Sequence, residues 1–229
     1  MARDAATLDL LTDGRFELGL GAGHMRSEYD EVGLGFDPPG TRVERLVESV
    51  AILKTLLAGE EATHEGPHYR LHRHRSIPPG SRRVPIYVDG NGPRLLELAA
   101  READIVGLVG FSHRRGGAVL DMSAFTATGT ATRIELVRQA AGDRFAELEL
   151  NALVQRAVVT DDPRARVGEI AAEMGLSVDE TLTSPYLLLG SHESMAEQLE
   201  ARRAQFALTY FVVPGSALED FAPVVVRLY

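Results

Sequence analysis

The 229-residue chain contains no cysteine and no tryptophan, and aromatic residues make up only 6% of it. Lack of cysteine excludes disulfides, thiolate metal sites and cysteine nucleophiles, and the composition suits a reducing cytoplasm. Positive charge is also short: 24 Lys and Arg stand against 33 Asp and Glu, a net charge of -9. Such a surface repels polyanions, so the expected partner is a small molecule and not nucleic acid. Long apolar runs are missing as well. Met1 to Leu11 carries Arg3, Asp4 and Asp9 and has no apolar h-region, so it reads as a helix and neither as a signal peptide nor as a membrane span.

What is present is 45% hydrophobic sequence, enough for the core of one domain over residues 1–229. Short β-branched or apolar runs alternate with helical spacing. Strands are expected at Arg15 to Leu20, Pro85 to Asp89, Ala103 to Gly110, Leu148 to Thr160 and Leu208 to Val213, five in all. Helical pattern follows each of them. Thr41 and Glu44 have the spacing of a capping box, with Val43, Leu46, Val47, Val50 and Leu57 behind them and Gly59 closing the helix. Pro93 stands at a helix start, Asp162-Pro163 caps another, Gly142 and Gly175 end two, a short extra helix is expected at Val178 to Leu182, and Ser191 caps the helix before the last strand. Alternating strands and helices mean parallel βα units.

The segment at about 60–84 departs from that rhythm. It holds His64, His68, His72 and His74, with Gly66-Pro67 and Pro78-Pro79-Gly80 as turns. The histidine spacing matches no tight ligand set, and Arg70, Arg73 and Arg75 repel a cation, so no metal site is expected and a solvated hairpin over Thr63 to Leu71 is. Gln155 and Arg156 lie inside a strand, where the charge should face the ligand end or a paired carboxylate.

Glycine marks two strand ends. Gly90, Asn91 and Gly92 lie between a strand and a helix start, where unsatisfied N–H groups and the positive end of the helix dipole can hold an anion; an ordinary tight βα turn explains the same residues. Asp89 beside them opposes an anion unless it points elsewhere or contacts a hydroxyl. Gly19-Leu-Gly21-Ala-Gly23 has the look of a dinucleotide fingerprint but lacks the long helix directly after it and the acidic strand end some 20 residues on.

The run from Ala6 to Gly23, Ala-Thr-Leu-Asp-Leu-Leu-Thr-Asp-Gly-Arg-Phe-Glu-Leu-Gly-Leu-Gly-Ala-Gly, resembles the hallmark segment of the luciferase-like oxidoreductases, particularly their F420-dependent branch. Pro85 to Arg94, Ala103-Asp104-Ile105, Val154 to Asp162 and Leu189 to Leu199 extend the resemblance over essentially the whole chain. It implies an α/β fold, a partial or rearranged (β/α)8 TIM-type barrel in which the five strands are the fourth to the eighth and the first three βα units are missing. At roughly 30 residues per unit the missing units amount to roughly 60 to 90 residues. It also implies that the hairpin borders a substrate entrance.

The resemblance implies F420 as cofactor, with FMN as the alternative. Gly90, Asn91, Gly92 and Arg94 would then hold the cofactor phosphate, while Gly21 and Gly23 keep a strand end open to a flat isoalloxazine-like ring. Ala22 stands where FMN-binding relatives tend to carry arginine, which favours F420. His24 replaces the tryptophan usual in the F420 branch; it is the candidate catalytic residue, bonding the cofactor or shuttling a proton, or else a loop histidine bonded to backbone or water. The expected function is hydride transfer to, or oxygenation of, a small organic substrate; a vestigial, non-catalytic binder is the other reading. Five strands alone would leave edges at Arg15 to Leu20 and Leu208 to Val213 and an apolar interior facing nothing, so the expectation is that the sheet re-closes, that a homodimer buries the open side, or that the chain is a fragment of a longer product.

Overall fold

The computed structural model describes residues 1–76, 84–113 and 120–228. In chain order the elements are α1 (Ala2–Leu11), β1 (Leu18–Leu20), α2 (Arg26–Glu31), α3 (Pro39–Leu57), β2 (Ala62–Glu65), β3 (Arg70–His74), β4 (Ile86–Asp89), α4 (Pro93–Glu102), β5 (Ile105–Leu108), β6 (Ser112–His113), β7 (Leu120–Asp121), α5 (Ala127–Ala141), β8 (Glu149–Leu153), β9 (Arg156–Val159), α6 (Pro163–Met174), α7 (Val178–Leu182), β10 (Leu187–Gly190), α8 (His192–Phe206), β11 (Leu208–Val212) and α9 (Leu218–Leu228). The main sheet has the order β1-β4-β5-β8-β11, every pair parallel. It is an α/β arrangement with the five expected strands side by side in chain order. Among the described residues the sheet is open, with β1 and β11 at its edges, and no barrel closes.

Strand residues alternate faces with a period of two. One face is packed under helices: Leu20, Val88, Val106, Leu150 and Leu208 stand in register across the five strands, each buried. Helix α4 supports them with Leu96, Ala99 and Ala100, and α5 with Ile134 and Val137. The opposite face was expected to be apolar, and it is not. Its rows read Gly19, Tyr87, Ile105, Glu149 and then Asp89, Gly107, Asn151, Tyr210. Burial, then the charge and hydrogen-bonding reach of Glu17, directly before β1, raise the pKa of Tyr210 of β11. Side chains from the two ends of the sheet therefore approach each other across this face, so the sheet is concave on it.

Two local expectations need correction. The run Leu148 to Thr160 is not one strand: Val154 N–H still donates to Val212 of β11, but Gln155 N–H donates to Tyr186, and β9 goes on to pair with β10 in a second, two-stranded parallel sheet. Strand β10, an apolar run, is thus an additional strand. The small sheet packs on α8 and α9 through Val154, Leu188, Met195, Leu199, Phe221 and Val224. The capping box at Thr41 and Glu44 does not form either. The N-cap of α3 is Pro38, three residues before Thr41, with Pro39 at the first helical position, and Glu44 pairs instead with Arg94.

The helix starts at Pro93, Asp162-Pro163 and Ser191 are as expected, as is the short helix Val178–Leu182; Asp162 accepts from Ala165 N–H at 3.1 Å and Ser191 from Ser194 N–H at 3.2 Å. Strands β2 and β3 form the expected antiparallel hairpin. Glu48 of α3 clamps it, accepting from the His64 ring at 3.0 Å and from Tyr69 N–H at 3.0 Å. Burial pushes the Glu48 pKa up, but His64 and the Tyr69 and His68 amides outweigh it and the net shift is downward. The expected turn at Pro78-Pro79-Gly80 lies outside the described residues.

Candidate functional site

In a parallel sheet the ligand end is where strands finish and helices begin. Here that rim carries Gly21 to His24 after β1 and Gly90 to Gly92 after β4. Because β1 and β4 are parallel neighbours, with Leu20 opposite Val88, both glycine turns open on the same side.

At the turn after β4, each residue has a distinct task. Gly90 N–H donates to Gly107 at 3.2 Å, and a Cβ there would fall 2.2 Å from Leu95, so packing accounts for this glycine. Asn91 donates its side-chain amide to Phe111, which ties the turn to the loop after β5, and its Oδ1 is buried without a partner among the described residues. Gly92 is different. It is the N-cap of α4, has an ordinary φ of -72°, and a Cβ on it would meet no atom within 4 Å. Open space above an uncapped helix start is the arrangement that admits an anion. Arg94, on the same turn, directs its guanidinium to Glu44 of α3 at 3.2 Å.

The turn after β1 is held by α3. Arg42, buried, donates from Nε to the Gly23 carbonyl at 3.1 Å and from Nη1 to the Asp37 carbonyl, and lies 4.1 Å from the centre of the Phe36 ring. Tyr29 meets Phe36 edge-on at 5.0 Å. Gly23 has φ +72°, and a Cβ there would fall 2.3 Å from the Tyr29 hydroxyl, so no other residue fits this turn without displacing Tyr29. His24 is exposed on the rim. Its charge opposes the burial that raises the pKa of Asp89.

Below the rim, the concave face carries groups that the sequence motifs did not single out. Tyr87 donates to Asn151 Oδ1 at 3.1 Å, two strands away. Gly107 on the strand between them makes that reach possible, since a Cβ there would lie 2.3 Å from the Tyr87 hydroxyl. Burial, then the charge of Asp89, push the Tyr87 pKa far up. The signal for this face was available in the alternation Ile86-Tyr-Val-Asp89 and in an asparagine amid the apolar run of β8. Arg156 satisfies its charge elsewhere, on Glu173 at 3.3 Å. A separate cleft of about 300 Å³ lies between α3 and α4, lined by Val43, Val47, Ala51, Leu98 and neighbouring charged groups, on the helix side and away from the rim. Among the described residues no three His, Asp or Glu side chains gather as a metal site, and no helix is long and apolar enough to cross a membrane.

A family model described as luciferase-like monooxygenase matches residues 1–204. The chain belongs to the luciferase-like monooxygenase family. Among curated relatives, an F420-dependent glucose-6-phosphate dehydrogenase of Microbacterium testaceum (strain StLB037) is 35% identical over 104 residues, 45% of this chain and 31% of that protein. A 5,10-methylenetetrahydromethanopterin reductase of Archaeoglobus fulgidus is 32% identical over 108 residues, 47% of this chain and 30% of that protein. The chain therefore matches about a third of the length of these relatives. Among solved structures, an F420-dependent secondary alcohol dehydrogenase in complex with an F420-acetone adduct superimposes with a TM-score of 0.75 at 17% identity, covering 100% of this chain and 74% of that one. The coenzyme F420-dependent tetrahydromethanopterin reductase from Methanopyrus kandleri gives 0.68 at 17%, covering 100% and 78%. These likenesses establish the luciferase-like fold.

Proposed function

We propose that this luciferase-like protein is an oxidoreductase that binds F420, with FMN as the alternative, and that it transfers hydride to, or oxygenates, a small organic substrate. The observation that carries the reading is the opening of two glycine turns, Gly21 to Gly23 and Gly90 to Gly92, on one rim of a parallel sheet. The residues present fit such a cofactor in two places. Gly92 and the uncapped start of α4 offer an anion open space and the positive end of a helix. On β1 and directly after it, exposed Gly19 and Gly21 carry no side chain of their own, which leaves backbone that a flat ring can approach. Asp89 is directed toward Gly21 and Gly107 on the concave face, which removes the objection that it faces the phosphate.

When bound, F420 supplies a hydride donor or acceptor. The chain's part is to orient and to handle protons: Arg42 holds the Gly23 turn, and His24 stands on the rim as the proton-carrying candidate. Names of relatives support F420 first, since the M. testaceum and A. fulgidus matches and both structural neighbours concern F420 or pterin reduction. In this reading the five strands are the fourth to the eighth of a barrel. The approach of Glu17 and Tyr210 across the concave face fits the layered filling of a barrel interior by alternate strands. The edge strands β1 and β11 are covered in the assembled protein by a second copy, so light scattering should give twice the chain mass.

Fluorescence titration with F420 and with FMN tests the cofactor reading. Wild-type protein should bind F420, and Gly92→Asp should weaken it by about tenfold or more while thermal stability does not fall, because a carboxylate at that position caps the helix but repels a phosphate. Absence of binding to either cofactor well above micromolar concentration would leave only the vestigial reading.

A further inference from the structure

The concave face carries chemistry that a phosphate turn and a ring platform leave unused. Asp89, Gly107, Asn151 and Tyr210 stand in one row across β4, β5, β8 and β11, and Gly21 extends it beyond β1. Asp89 lies between two glycines: its Oδ1 is 3.2 Å from where a Cβ of Gly21 would stand, and its Cβ is 2.6 Å from that of Gly107. Both flanking strands have given up side chains around a single carboxyl. Asn151 is 1% exposed, accepts from Tyr87 on Oδ1, and has no partner for Nδ2 among the described residues. A buried donor left unmet costs about 1–3 kcal/mol, so its retention points to a group that completes it.

Apart from His24 on the rim, the charges facing this row are acidic. Glu17 and His24 come from the β1 side, Tyr87 from β4 itself, Glu149 from β8 and Tyr210 from β11; no Lys or Arg stands on these strands. A phosphate or carboxylate ligand is therefore repelled at this level of the site. An amine would satisfy Asp89 but leave the Asn151 amide unmet. Adjacent hydroxyls satisfy both, since a carboxylate accepts from two of them, the amide donates to a third, and the Tyr87 oxygen has a lone pair to spare. We propose that Asp89, Asn151 and Tyr87 form a subsite for a polyhydroxylated chain, carried either by a free sugar or by the sugar-alcohol arm of a flavin-type cofactor. Only the second source rests on the function proposed above.

Two measurements separate the sources. Riboflavin and lumiflavin share a ring, and lumiflavin has a methyl group in place of the polyol arm. If the arm is the ligand, wild-type protein binds riboflavin about tenfold or more tightly than lumiflavin, the size of one charged hydrogen bond, and both Asp89→Ala and Asp89→Asn remove that preference without changing lumiflavin affinity. If a free sugar is the ligand, glucose shifts the Asn151 side-chain amide resonance, assigned by its loss in Asn151→Asp, whether or not any flavin binds. A glucose shift in a protein that binds neither F420 nor FMN would sink the proposed function and leave the subsite standing. Equal affinity for the two flavins together with an unmoved amide overturns the subsite, as does a riboflavin preference that survives both Asp89 variants.

Discussion

Val88 and Asp89 are neighbours in the chain and belong to different worlds. The row through Val88 meets helices and is apolar on every strand, Leu20, Val88, Val106, Leu150 and Leu208. One residue further along, the row through Asp89 offers glycine, carboxyl, amide and phenol to the concave side. A covered face gains from every methylene it removes from water, at about 25 cal/mol per Å². The concave face forgoes that gain, leaves a buried amide unmet and raises the pKa of a carboxyl. Stability is therefore concentrated on one side of the sheet, and the other side is free to be chemically costly.

The largest effect should come from the covered face. Leu150→Ala removes a side chain that is 1% exposed and should cost about 2–5 kcal/mol in urea unfolding, whereas Tyr210→Phe on the concave face should cost less than about 1 kcal/mol. Equal losses would erase the distinction between the faces. Gly107→Ala comes next. The new methyl must displace the Tyr87 hydroxyl, for about 1–3 kcal/mol. Only the Tyr87 share of that cost should vanish in a Tyr87→Ala background, since the approach to the Asp89 Cβ at 2.6 Å remains; an unchanged cost in the double mutant would show that Gly107 does not serve the reach of Tyr87.

Asp89→Asn should have the smallest effect and the opposite sign. Burial raises the folded-state pKa of Asp89, against the opposing influence of its own amide and of His24, so the folded protein holds this proton more tightly than the unfolded chain does. That contribution is fully present below the unfolded value of 3.8 and is lost as pH rises through the folded value. Asparagine should therefore raise Tm at pH 7, by an amount on the order of 2 °C, and leave it unchanged near pH 3. A lower Tm at pH 7 would mean that the carboxylate is stabilising where it stands, and that the concave face is not costly at this point.

Much of the fold was legible because its signals are local. Pro93, Asp162-Pro163 and Ser191 start helices, Gly142 and Gly175 end them at positive φ, and β-branched runs mark β4 and β5. The break between β8 and β9 was not legible, since both halves are apolar and β-forming; what separates them is a change of partner, from β11 to the small sheet with β10. The same holds at Thr41 and Glu44, where the spacing of a capping box is present but a proline two residues earlier has already begun the helix. In the candidate site, Gly92 stands where expected with open space above it, while Gly90, Asn91 and Arg94 are engaged by Gly107, Phe111 and Glu44. Tyr87 and Asn151 were missed because their pairing crosses a strand that comes between them in space.

The sequence by itself determined the alternation of strand and helix, the glycine turns at two strand ends, and the family to which the chain belongs, because periodicity, caps and turn residues act within a few positions. Tertiary structure alone decided that both turns share a rim, that Asp89 is directed at two glycines instead of at the helix start, and that the uncovered face is polar. Register between strands makes those choices, and a shift of a single residue would have exchanged the two faces.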